Sequence, residues 1–379
     1  ALVLWVLLAL SFLWFGSFAS GGGTALAPLT HFPVGWDERS QRLFWAYSSI
    51  AVFFVALVFS RVVYTVVERF MEVVAVVTLV GLVIACSHPA VLAQLPSFTR
   101  GLIVPQWPPP RPWDPADATK LLTAITFAGL GGFWTLFYSY WLREKGAGMA
   151  SRMGHVEGLR GRHEVEFEAG AVPSDASAAL PMWRRFLMVD SAVGIIGNIV
   201  TTLMTCLLAY AVLHPQGLLP DKYELAVVQS RFFELSWGAP GRMLFLIVAA
   251  AFLSDTWMAT ADAVARIHTD CLLSFFPSAR RWSVKRWYLI CLVIGTVVTC
   301  VTMLFSEPGP LILLSALIGF LGTVSFAVFL YLLNHRLLPR HLDRRLCPQR
   351  WAAIGLGVSG TAYAALALAY LFRDQIATR

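Results

Sequence analysis

The chain has 379 residues, of which 58% are hydrophobic and only 13% charged. Soluble domains carry roughly 45–50% and 25%. A free-standing water-soluble globule is excluded on those numbers. The net charge of +7 reads as contact with an anionic membrane surface and gives no ground for a nucleic-acid partner.

A bilayer core about 30 Å thick takes roughly 20 apolar residues as a helix. Windows of that kind, bounded by charges, Pro or Gly, predict nine spans in chain order: 1–30, 43–60, 66–86, 121–142, 186–213, 243–272, 288–305, 311–333 and 351–371. Ala1 already lies inside an apolar run, so further helices are expected upstream of it. The basic residues alternate between the connecting loops. Arg143, Arg152, Arg160, Arg184 and Arg185 lie in one set, with Arg280, Arg281, Lys285, Arg286, Arg336, Arg340 and Arg350. By the positive-inside rule that set is cytoplasmic, so the first span runs outward in a multi-pass protein of the cytoplasmic membrane.

Two loops stand out between the spans. Residues 93–118 form an extracytoplasmic loop rich in Pro and Trp, including PQWPPPRPWDP at 105–115, which favours extended polyproline backbone with tryptophans at the interface. Residues 144–181 are rich in Gly, Ala, Ser and both charges, as expected of a cytoplasmic loop without a site of its own. The six cysteines are scattered, with no C-x-x-C pair, and read as small interior residues.

Polar chemistry at membrane depth concentrates in three spans. The fourth carries Gly129, Gly131 and Gly132 near its middle, between Ala128 and Phe133. Each glycine weakens a helix by about 1 kcal/mol relative to Ala, and an unwound stretch would turn carbonyls toward a cavity. Close packing through small residues explains such a cluster almost as well. The fifth presents Asp190, Gly194, Gly197, Asn198, Thr201 and Thr202 on one small, polar face, for which helix packing is the default and contact with a substrate the functional reading.

The sixth span holds Asp255, Asp262, Arg266 and Asp270 in steps of seven, four and four, which keep them on one stripe. A charge at the bilayer centre costs about 2.5–3.5 kcal/mol on insertion scales, so the stripe should face inward. Arg266 should then pair with Asp262 and with Asp270 as a structural ion pair, leaving Asp255 as the carboxylate available for an ion path. Glu68 and Glu72, at the start of the third span, read as electrostatic anchors.

Three segments together resemble a known family: FAGLGGFWTLFYSYWLREKGAGM at 127–149, the fifth span from Asp190 to Asn198, and LSDTWMATADAVARIHTD at 253–270. They are similar to the Nramp (natural resistance-associated macrophage protein) superfamily, and most to its divergent Nramp-related branch. The resemblance implies an all-α, LeuT-like inverted-repeat transporter, its nine spans matching helices three to eleven of eleven. In that family a divalent metal binds between two broken helices, and the alignment sets Ala128 at the alanine whose carbonyl ligates metal. Gly131 then stands where the family has a methionine ligand, Gly132 at its proline and Phe133 at its histidine. Gly129, Gly132, Phe133, Asn198, Asp190, Asp255 and Asp262 would line the substrate pathway.

Loss of the thioether favours an oxygen-bound Mg²⁺ or Mn²⁺ over softer metals. The family's acidic pair on its third helix has no counterpart in FASGGGT at 18–24, so uptake is expected without proton coupling. The implied protein is a transporter and no enzyme, needs no cofactor beyond the ion it moves, and has the lipid bilayer as its other partner. A carrier of amino acids or other organic substrates with the same fold is the nearest alternative. A metal-dependent intramembrane hydrolase is a third, but it calls for histidines or a nucleophile beside the acids, and none stands at helical spacing.

Overall fold

The computed structural model describes residues 2–11, 15–59, 63–104, 115–127, 133–147, 176–219, 224–305, 308–341 and 347–372. Among them there is no strand. Fifteen α-helices follow one another: α1 (Leu2–Ser11), α2 (Gly16–Thr30), α3 (Glu38–Phe59), α4 (Val63–Cys86), α5 (Pro89–Leu92), α6 (Leu95–Ile103), α7 (Pro115–Phe127), α8 (Phe133–Glu144), α9 (Ala176–Leu208), α10 (Leu225–Gln229), α11 (Arg231–Phe275), α12 (Val284–Phe305), α13 (Pro308–Leu332), α14 (Leu338–His341) and α15 (Arg350–Leu371). Seven helices among the described residues are long and apolar enough to cross a membrane. The chain is an all-α, multi-pass membrane protein.

The seven correspond to the second, third and fifth to ninth expected spans. Of the first span the structure describes α1 and α2, and of the fourth α7 and α8; residues 12–14 and 128–132 lie outside the described residues. Two loop boundaries move. The Pro/Trp-rich loop at 93–118 contains α6, where Leu95, Leu102 and Ile103 are exposed beside Arg100. The described part of the fifth span reaches back to Ala176, ten residues before Phe186, with Arg184 and Arg185 inside the helix. A charged pair ended the apolar window there, but long basic side chains are compatible with a helix end at the lipid interface.

α11 is the central element. Half of its most apolar window is buried inside the protein, against none of that of α15 and 11% of that of the fifth span. Alanines 259, 261, 263 and 265 leave little side chain on its inner half, so neighbours approach closely. Phe15, just before α2, Phe18 and Ala19 of α2, Ala46, Ile50 and Leu57 of α3, and Tyr288, Leu292 and Met303 of α12 close the core around Trp257, Met258 and Ile267. α11 is also longer than any bilayer requires, because it is two helices joined at a kink: Gly238 has φ 62° and ψ −145°, a backbone region essentially confined to glycine.

α2 owes its place to its glycines. A Cβ on Gly22 would lie 2.4 Å from Ser254 Oγ, and one on Gly23 would lie 2.3 Å from the Arg42 carbonyl oxygen. Three successive glycines are poor helix formers, so this helix is held by the close approach to α3 and α11 that they permit.

Outside the membrane-spanning part, Asp37 accepts a hydrogen bond from the Ser40 backbone N–H (3.1 Å) at the start of α3. The Ser40 side chain and backbone hold the Asp37 carboxyl below its ordinary value of 3.8. A depressed pKa contributes stability above the unfolded-state value and loses it as pH falls through the folded-state value. Acidification below about pH 4 should therefore speed hydrogen exchange in the first turn of α3, corrected for intrinsic rates, and Asp37→Ala should show the faster exchange already at neutral pH. Equal protection in parent and variant at pH 7 would remove this cap from the account.

Candidate functional site

Of the residues singled out from the sequence, the α11 stripe has the most definite surroundings. Arg266 is fully enclosed. Its Nε donates to both carboxylate oxygens of Asp262 at 3.0 and 2.9 Å, and Nη1 lies 2.7 Å from Glu144 Oε1 at the end of α8, an ion-pair contact. The Tyr288 hydroxyl of α12 donates to Asp262 Oδ1 at 2.7 Å, and the guanidinium carbon sits 5.4 Å from the centre of the Tyr288 ring. Glu144, Asp262 and Tyr288 are all buried. One cation thus faces two carboxylates inside the protein, with a phenol supplying a further donor. The low-dielectric surroundings make this arrangement stable only while all its members are present.

The expected pairing of Arg266 with Asp270 is replaced. Asp270 instead meets Arg143 of α8 at 2.7 Å, and the Arg143 guanidinium lies over the Tyr140 ring, 5.0 Å from its centroid. Arg266 is taken up by acids on its other side, so the outer turn of the stripe turns to α8 for its cation. Beside these, Lys145 Nζ meets Glu68 Oε1 of α4 at 3.0 Å. That hydrogen bond raises the Lys145 ammonium above its ordinary value of 10.5. Glu68, read as an anchor at a helix start, is an ion-pair partner of α8.

Asp255 differs from the rest of the stripe. It is 3% exposed, and its Oδ1 has no hydrogen-bond partner among the described residues. The neighbouring Ser254 Oγ, Trp257 Nε1 and, on α2, Ser17 Oγ are likewise buried without a partner among those residues. Buried polar atoms are nearly always satisfied, so the Asp255 carboxylate is a point on α11 where an ion or water would complete the bonding. Asp255 lies seven residues before Asp262, about 10.5 Å along the helix on the same side.

The fifth-span residues part company. Tyr138 of α8 donates to Asp190 Oδ2 at 2.5 Å, so Asp190 ties α9 to α8. Asn198 is on the exposed side of α9, and a Cβ on Gly194 or Gly197 would meet nothing within 4 Å. Ala128, Gly129, Gly131 and Gly132 lie outside the described residues, and Phe133 opens α8. What the structure does give for the fourth span is its two flanks, both of which touch α13. α7 packs on α13, where Thr126 Oγ1 donates to Leu122 O (2.8 Å) and reaches Ala316 O (3.4 Å). α8 is held by α11, α4 and α9 through the polar contacts above.

No family model matches the chain, and no curated protein matches it. Among the described residues no three His, Cys, Asp or Glu side chains gather as a metal site, and all six cysteines are free thiols.

Sequence reasoning did not single out Glu144, Tyr288, Tyr138 or Ser17. In the sequence Glu144 stands at the start of a loop and Tyr288 at the edge of a span. A signal was available in the arithmetic of charge, since an enclosed Arg266 with one acid at i−4 leaves guanidinium nitrogens to be met by another segment.

Proposed function

We propose that the chain belongs to a secondary transporter that moves divalent cations, Mg²⁺ or Mn²⁺ in preference to softer metals, across the cytoplasmic membrane by alternating access. What supports the reading is Asp255, buried on α11 with a carboxylate oxygen that has no hydrogen-bond partner among the described residues, together with the glycines at 129, 131 and 132 that the sequence sets in the middle of the fourth span. Discontinuous helices are where transporters of inverted-repeat type bind their ions, through main-chain oxygens exposed at the break. In this reading Ala128 and the backbone at Gly131 form one half of the ion site, in a LeuT-like fold of the Nramp-related kind. Asp255, buried with an oxygen left over, lies on the path. Asp262 serves the path from within the ion cluster, by holding α8 to α11. Absence of a thioether at Gly131 favours a hard, partly hydrated cation. Without acids on α2, uptake is driven by membrane potential and carries no protons.

The full-length protein in proteoliposomes with a fluorescent divalent-ion reporter inside should take up Mg²⁺ or Mn²⁺ when the interior is negative. A pH dye in the same vesicles should stay flat. Asp255→Ala should slow initial uptake by about tenfold, equivalent to about 1.4 kcal/mol. Uptake of radiolabelled amino acids with no ion flux would replace the metal reading with the organic-substrate one. Ion flux accompanied by matching acidification would overturn the uncoupled mechanism.

A further inference from the structure

The last two residues of α8 and the one that follows it are charged, and each grips a different acid or base. Arg143 holds Asp270 at 2.7 Å, Glu144 holds Arg266 at 2.7 Å, and Lys145 holds Glu68 at 3.0 Å. Successive helical residues point about 100° apart, so the three pairs leave the end of α8 in different directions, two toward α11 and one toward α4. They are not equivalent. The side chains of Glu144 and Arg266 are 1% and 0% exposed, whereas those of Lys145 and Glu68 are 46% and 28% exposed and those of Arg143 and Asp270 lie between. Ion pairs open to water are individually weak and are exchanged readily for hydration, while a buried charge has no such alternative.

We propose that Arg143 and Lys145 form a releasable latch closing the loop-side end of α8 on α11 and α4, with the Glu144–Arg266–Asp262–Tyr288 cluster as the fixed pivot beneath it. Its purpose rests on the transport reading above, since an alternating-access protein must open that end in one of its states; its geometry does not. Cys271, next to Asp270 and packed at the edge of the core, is a native reporter of the opening.

The test uses the full-length protein with Cys271 as its only cysteine, reconstituted in vesicles and labelled with a membrane-impermeant maleimide from the side bearing the 144–181 loop. Lys145→Gln or Arg143→Gln should speed labelling by about fivefold each, and together by about twenty-five-fold if the pairs act independently. Loss of a nearby cation slows a thiol's own reaction, so acceleration reports exposure. Exchanging the charges, Lys145→Glu with Glu68→Lys, should return the rate to within about twofold of the parent; general unfolding would leave it fast. A doubly neutralised protein that labels at the parental rate, or an exchanged pair that labels as fast as Lys145→Gln alone, overturns the latch. Divalent-ion uptake in the same vesicles keeps the two readings apart. Accelerated labelling without any uptake by the parent sinks transport and leaves the latch, while uptake with indifferent labelling does the reverse.

Discussion

Arg266→Met should destabilise the protein by about 3–5 kcal/mol, the usual consequence of removing one partner from a buried ionic cluster. Methionine nearly fills the volume of the arginine stem, so packing is a minor part of the loss. What remains is electrostatic: Asp262 and Glu144 would face each other in a dry interior with only the Tyr288 hydroxyl left to Asp262. At least one carboxylate would have to take up a proton to stay enclosed. For a chain of this size the melting temperature of the detergent-purified protein should drop by roughly 5–10 °C. Neutralising the acids in the same background, as Arg266→Met with Asp262→Asn and Glu144→Gln, should recover most of it, because amides of the same shape carry no charge to strand. A melting temperature for Arg266→Met equal to the parent's would mean that water reaches the cluster.

The second large effect is expected of a single methyl group. Gly23→Ala sets a Cβ 2.3 Å from the Arg42 carbonyl oxygen and 3.1 Å from the Ala46 nitrogen, both main-chain atoms of α3 that no rotamer change can move. Alanine raises intrinsic helix stability by about 1 kcal/mol over glycine, but overpacking against fixed backbone typically costs about 1–3 kcal/mol, occasionally more. Retreat from α3 is blocked, since Gly22 already abuts Ser254 Oγ and the Ala250 carbonyl on α11. The clash should therefore win and lower the yield of folded, monodisperse protein. Gly21→Ala is the matched control: its nearest neighbour is the Leu253 Cδ1 methyl at 3.2 Å, the end of a flexible side chain, and it should be neutral or mildly stabilising. Equal behaviour of the two variants in size-exclusion chromatography and thermal melts would show that α2 is not wedged as tightly as these contacts require.

Spans such as α4 and α12 are legible in the sequence because an uninterrupted apolar stretch has few alternatives to crossing lipid as a helix. The Asp262–Arg266 pair is legible for a similar reason, as a four-residue step on a helix brings the two side chains together. The rest of the cluster depends on segments far apart in the chain. Periodicity can put Arg266 on the inward face of α11; it cannot say that the facing helix brings Glu144, 122 positions earlier, in place of Asp270 four residues on. Charges near span ends look in sequence like solvated loops, which hides Glu144 and shortens the fifth span at Arg184 and Arg185. The small, polar face at Asn198 suits helix packing or substrate contact by composition, but α9 exposes Asn198. Small polar residues suit more than one environment, and only the neighbours decide.

The kink at Gly238 also fixes a vertical scale. Counting from Arg242, the first charged residue after the bend, some 20 residues of helix exhaust about 30 Å of hydrocarbon. That count carries α11 past Asp255 a little beyond halfway and reaches Asp262 as the acyl chains give way to headgroups. On that count the guanidinium and its acids lie at the boundary of the hydrocarbon layer but enclosed by protein, so their surroundings are set by side chains rather than by lipid. Asp255 is the carboxylate stranded at real depth, and the only member of the stripe for which the thickness of the surrounding lipid should matter.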